Sequence, residues 1–259
     1  MKQIIRMLIL CCLITVTVGC SNQSEKTSNQ TVSTQSSKKS SEKSTENTVT
    51  SSSETEVVTS GEASEQATVK DLANIFYGEK LPTLIYSPTD SYLGASYTTP
   101  KSKDYQINYF ATDQQLALNA NSLNSAVAFA TFKKQEFSTD QEAINAVGYL
   151  PADGMAVNLN HGMTGYQQGA AGSTYLAWVE GNWSIVVQVS NSTSDNAVEI
   201  ANSIIDLLET VYLPAPSNVG QITIHSNSSN QLIFNQGNTV YTLTHSDYLA
   251  LLKMTASIQ

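Results

Sequence analysis

Cysteine is confined to the first twenty positions, at Cys11, Cys12 and Cys20. Beyond them the chain can hold no structural disulfide, no cysteine nucleophile and no thiolate metal site. Arginine is absent after Arg6, and its planar fork is the usual two-point receptor for carboxylate and phosphate. From Val69 to Gln259 there are seven Lys against fifteen Asp and Glu, and 7 − 15 leaves −8. That field disfavours nucleic acid, anionic lipid headgroups and phosphate polymers. It fits a neutral or cationic partner, or simply a soluble acidic surface. Histidine occurs only at His161, His225 and His245, in no H-x-x-x-H or H-x-x-E-H pattern, so neither a metal site nor a cofactor is expected. The region after residue 68 also has no G-x-S-x-G elbow and no S-x-x-K motif.

What is present begins at Met1. Lys2 and Arg6 give a positive start, Met7 to Val18 form an apolar run, and Gly19-Cys20 closes it. This is the three-part pattern of an export signal. A small residue directly before a cysteine resembles the lipobox of bacterial lipoproteins, although Thr17 stands where that motif usually has leucine. The resemblance implies cleavage after residue 19, a diacylglyceryl group on Cys20, and a location on the outer face of the cytoplasmic membrane. Two acyl chains suffice for stable anchoring. The alternative is an uncleaved anchor, because secretory apolar regions and short spans overlap.

Residues 20–68 follow as the lipidated Cys and a tether, about half Ser and Thr and free of aromatics. Such a composition buries too little apolar surface to offset chain entropy. As a flexible coil its r.m.s. span is roughly 35–40 Å. O-glycosylation is a second use for the hydroxyls.

Residues 69–259 read as a single α+β extracytoplasmic domain. Thr68 and Asp71 look like a helix start, with Val69, Leu72, Ala73 and Phe76 on one face and Gly78 as the stop. Strands are predicted at Tyr92–Tyr97, Tyr105–Ala111 and Ala126–Phe132, the last with Val127, Phe129 and Thr131 on one side. A helix should run from the Ser138–Glu142 cap to Val147. Tyr166 to Gly172 reads as a mobile glycine-rich loop. The clearest hairpin is Tyr175–Val189, turning at Gly181-Asn182. That turn pairs Glu180 with Trp183 and Trp178 with Ile185, putting Leu176, Trp178, Ile185 and Val187 toward the core and Ala177, Val179 and Ser184 away. A capped helix follows, with a stripe from Ala197 to Val211. The order then repeats: a strand at Gln221–His225, a hairpin at Leu232–Leu243 turning at Gly237-Asn238, and a helix after Ser246. The expected architecture is an antiparallel sheet built from repeated hairpin–helix units, with helices packed on one face.

The runs A-G-S-T-Y-L-A-W-V-E-G-N-W (Ala171 to Trp183), V-Y-L-P-A-P (Val211 to Pro216) and G-N-T-V-Y (Gly237 to Tyr241) resemble a family of lipoproteins, without an assigned activity, from Gram-positive bacteria of the lactic-acid group. The resemblance covers nearly all of residues 69–259 and brings no catalytic residue with it.

Candidate chemistry is sparse. Asp153 and Glu180 would make a hydrolytic pair for neutral wall carbohydrate if they faced each other across a cleft; Glu180 beside a turn is otherwise an ordinary exposed acid. All twelve tyrosines and both tryptophans lie after residue 68. Exposed aromatics stack on sugar rings or proline-rich peptide. Trp183, next to the turn, is the candidate for exposure, with Trp178 and Tyr166 as further ligand contacts; core packing is the competing role for all three. The leading expectation is a non-enzymatic binding module at the membrane–wall interface, with a cell-wall or membrane-protein partner and no nucleic acid. The alternative is a carbohydrate hydrolase.

Overall fold

Two Gly-Asn turns set the middle of the fold. A computed structural model describes residues 60–88, 91–100 and 103–259; the signal, Cys20 and the tether through residue 59 lie outside the described residues. The strands are β1 Tyr92–Tyr97, β2 Tyr105–Thr112, β3 Ala130–Glu136, β4 Met155–Asn158, β5 Thr164–Ala170, β6 Ser173–Glu180, β7 Trp183–Ser190, β8 Gly220–His225, β9 Asn230–Gln236 and β10 Thr239–His245. The helices are α1 Ser60–Ile75, α2 Asp140–Val147, α3 Ala197–Leu208 and α4 Tyr248–Ala256. At both turns the glycine, Gly181 or Gly237, takes φ 59° while the asparagine does not, the pattern of a type II′ hairpin. Each asparagine instead donates from its side chain, Asn182 to the Pro216 carbonyl and Asn238 to that of Phe137. The expected pairs Glu180–Trp183 and Trp178–Ile185 form, and Phe234–Tyr241 holds the matching place in β9–β10.

All ten strands join one sheet in the order β1-β2-β3-β10-β9-β8-β7-β6-β5-β4. It is mixed rather than antiparallel throughout, because β7 and β8 run parallel. The α3 crossover between them makes a parallel pair geometrically available, which a hairpin connection would not. The helices do not share one face. α1, α3 and α4 cover the front with the main core. α2 packs on the back, where Ala143 and Val147 meet Val240, with Phe137, Val219 and Ile233 around them. Val240 alternates with the front-facing Tyr241, so one strand supplies both cores.

Across the front a single register level runs Tyr105, Lys134, Tyr241, Phe234, Gly220, Trp183, Glu180. Together with Phe132 from the next level of β3, its rings form a continuous row, with Tyr105–Phe132 at 6.1 Å, Phe132–Tyr241 at 6.0 Å, Tyr241–Phe234 at 5.3 Å and Phe234–Trp183 at 5.6 Å. The last contact spans β8, and it is open because Gly220 has no side chain: a Cβ there would lie 2.3 Å from the Trp183 ring.

Several expectations need correction. α1 spans Ser60–Ile75, so the end of the stretch read as tether is helical, and Thr68 is mid-helix rather than a cap. Its buried face is Ser64, Thr68 and Leu72, continued by Phe76 in the turn that follows. The Ser64 hydroxyl accepts the Leu93 N–H and Thr68 donates to the Leu93 carbonyl, both at 2.9 Å. Hydroxyls here satisfy an edge strand, which apolar patterning does not register. The third strand starts at Ala130 and has the opposite phase: Ala130 and Phe132 face the core and Val127 is 91 % exposed. The glycine-rich stretch is strand β5, not a loop. Gly165 is there because a Cβ would press on Leu159 and Leu176 at 2.9 Å. Ser184 does point to the back of β7, as expected, but that face is covered, so Ser184 and its neighbour Val186 are buried. Ser184 donates to the Leu150 carbonyl, and Gln221 accepts the Leu150 N–H at 2.8 Å.

Candidate functional site

Leu81 to Tyr86 forms an extended ledge along the end of α4. Ser257 Oγ accepts the backbone N–H groups of Thr83 and Leu84 at 3.1 and 3.0 Å, and Glu65 accepts that of Ile85 at 2.8 Å. The ledge ends in a conformation that bulky side chains rarely adopt, Tyr86 at φ 57°. Backbone of this kind persists only where its surroundings over-determine it. The His245 ring does so here. Its Nδ1 accepts the Asp247 N–H at 2.9 Å, which leaves the proton on Nε2 to donate to the Tyr86 carbonyl at 3.1 Å. Lys253 Nζ sits 5.5 Å from the Tyr86 ring centre.

Around this ledge three cavities adjoin. One of about 380 Å³ includes Glu62, Glu65 and Tyr86 in its wall. A second of about 470 Å³ shares Thr83, Leu84 and Tyr86 with the first and adds Lys253 and Tyr212. A third of about 250 Å³ shares Val211 and Tyr212 with the second and ends at Glu180 and Trp183. The result is a groove with Tyr86 and Tyr212 as its junctions. Tyr212 is 82 % exposed.

At the far end Glu180 is not the ordinary exposed turn acid expected. Its Oε2 is enclosed with no hydrogen-bond donor, and the Trp178 indole N–H is likewise buried without a partner. Burial first, and then the charge of Glu209, hold the Glu180 carboxyl above the usual range. The nearby Trp178 N–H opposes that shift but forms no hydrogen bond of normal geometry, so both atoms count as unpaired. Beyond Glu180, α3 ends with Asp206 and Glu209 and no basic residue in its last turn, where the helix dipole already favours cations. His161 reaches these acids, with Nε2 at 3.0 Å from Asp206 and Nδ1 at 3.9 Å from Glu209.

The expected contact residues separate. Trp178 is fully buried, and Trp183 is 8 % exposed rather than open, its ring lining the third cavity. The side chain is covered because the turn folds it inward over Gly220. Tyr166 pairs with Ala177 on the back of the sheet, away from both tryptophans. Asp153 and Glu180 do not face each other. Asp153 precedes Met155, which pairs through Gln167 to the level of Leu176, and four strand residues from there to Glu180 span about 13 Å. That exceeds the 5–9.5 Å or so that a hydrolytic pair needs. Among the described residues no three His, Cys, Asp or Glu side chains converge on a metal position. Sequence reasoning missed Tyr86 and Tyr212. The second was signalled only by an aromatic just past an amphipathic stripe, and nothing local marks the first.

The buried His245 carries a pH prediction. Desolvation holds its pKa below the ordinary value despite the Tyr86 carbonyl and Asp247. As pH falls below about 6.5 the unfolded chain takes up a proton that the folded chain resists, so stability drops. Thermal midpoints measured between pH 7.5 and 5 should fall with acid in the native chain, and His245→Gln should flatten that slope.

Comparison with protein-family models, with curated proteins and with solved structures finds no match.

Proposed function

We propose that this chain is a non-enzymatic binding protein, held outside the cytoplasmic membrane by lipid on Cys20, whose groove engages a cell-wall polymer that is uncharged or carries amino groups. The observation that carries the reading is Tyr212, an almost fully exposed aromatic at the junction of two cavities. An exposed tyrosine costs nothing in the core and offers a flat, amphipathic face to a sugar ring. The negative balance of the domain and its lack of arginine favour a partner without phosphate. The same proposal treats β6–β7–α3 and β9–β10–α4 as two copies of one hairpin–helix unit. In support, each hairpin turns at Gly-Asn and each following helix packs back on its own strands.

Sedimentation of the full chain with purified wall sacculi tests the binding reading. The native chain should pellet, and Tyr212→Ala should weaken retention about fivefold, the ~1 kcal/mol worth of one aromatic contact. Equal retention of the two chains, or none of either, sinks the reading. The anchor is tested separately. Cys20→Ala should incorporate no labelled fatty acid and should leave the membrane fraction; continued labelling would contradict lipidation at that residue.

A further inference from the structure

We infer that the cavity at the β6–β7 turn receives a primary ammonium group on an aliphatic stem, a lysine-type side chain of the bound partner, with Glu180 as its counter-ion. The inference deepens the proposed function and rests on the groove being a binding surface. Four observations carry it. The cavity, about 250 Å³, has room for a side chain rather than a whole small-molecule ligand. Its other walls are Trp183, Ile185, Leu208, Val211, Tyr212 and Leu213, apolar flanks for a hydrocarbon stem with aromatic rings for a cation. Glu180 is in the cavity wall, and among the described residues no cationic side chain forms an ion pair with it. A carboxylate so placed is normally paired. Glu209 and the negative end of α3 deepen the local potential.

The geometry also selects among cations. With Oε2 sealed inside the protein, the carboxylate cannot present both oxygens to a guanidinium fork, whereas an ammonium bonds as a point charge to one oxygen. A divalent metal would need several oxygen ligands, and Glu180 is the one carboxylate in the wall.

NMR titration of the full chain in detergent, following the Trp183 and Tyr212 ring signals, decides the matter with three probes. These are the Nα-acetyl methylamides of lysine, norleucine and arginine. Lysine should bind at least tenfold more tightly than norleucine, with arginine between them. Glu180→Gln, an isosteric change whose folding is checked by its thermal midpoint, should bring lysine and norleucine within about twofold. Equal binding of lysine and norleucine, binding of neither, or an undiminished lysine preference in Glu180→Gln would each overturn the inference. Sacculi retention without a lysine preference removes this inference alone. A lysine preference without sacculi retention removes only the wall polymer as partner.

Discussion

Gly220→Ala should lower stability by about 3 kcal/mol, at the upper end of what overpacking costs, and lower the thermal midpoint by roughly 6–12 °C for a domain of this size. The added Cβ would stand 2.3 and 2.5 Å from two carbons of the Trp183 ring. That ring is held against Phe234 on one side and by its strand pairing with Gly220 on the other, so it has no free direction in which to yield. The cost is purely steric, because alanine is otherwise favoured over glycine in a strand by about 0.5–1 kcal/mol. A double-mutant cycle isolates it. In a Trp183→Ala background the Gly220→Ala change should be neutral or slightly stabilising. If Gly220→Ala costs the same in both backgrounds, the ring is not where the structure places it.

Trp178→Ala should cost about 3–5 kcal/mol, the range for deleting a fully buried large aromatic. Trp178 is wholly enclosed, paired to Ile185 across the hairpin beneath α3. Trp178→Phe should cost far less, about 1 kcal/mol. It loses part of the ring but also removes an indole N–H that is buried without a partner, and relieving an unsatisfied donor returns part of the loss. Chemical unfolding of the three chains compares them directly. A Phe variant as damaged as the Ala variant would mean that the N–H is bonded, most simply by the nearby Glu180 carboxylate.

The hairpins were the legible part of this fold. Gly181-Asn182 and Gly237-Asn238 announce their turns through residues within two positions of them, and the cross-strand pairs follow by counting. α2 is similarly local, with Thr139 accepting the Glu142 N–H at 3.2 Å and Gly148 closing the helix at φ 69°. Strand order is not local. The parallel β7–β8 pair depends on a crossover, and α2 reaches the back face only because Val240 and Ile233 come together from two strands. α1 escapes patterning for a different reason: Ser64 and Thr68 are buried by what their hydroxyls bond, while patterning scores them as polar. The candidate site was less legible still. Glu180, Tyr86 and Tyr212 come from the end of β6, the ledge before β1 and the segment after α3, and only the tertiary fold lines them along one groove. Trp183 carried the strongest aromatic signal and proved to be a wall of the site rather than its open surface.

The partner should meet the front of the sheet, the side that carries the groove. Oxidative footprinting of the full chain, free and bound to wall sacculi, measures this with controls in the same molecule. Tyr212 and Tyr86 should become protected on binding, while the half-exposed Tyr166, on the back of the sheet, and Tyr149, beside the back-face anchor Leu150, should react as before. Protection of Tyr166 and Tyr149 with Tyr212 left reactive would contradict the account and move the binding surface to the opposite face.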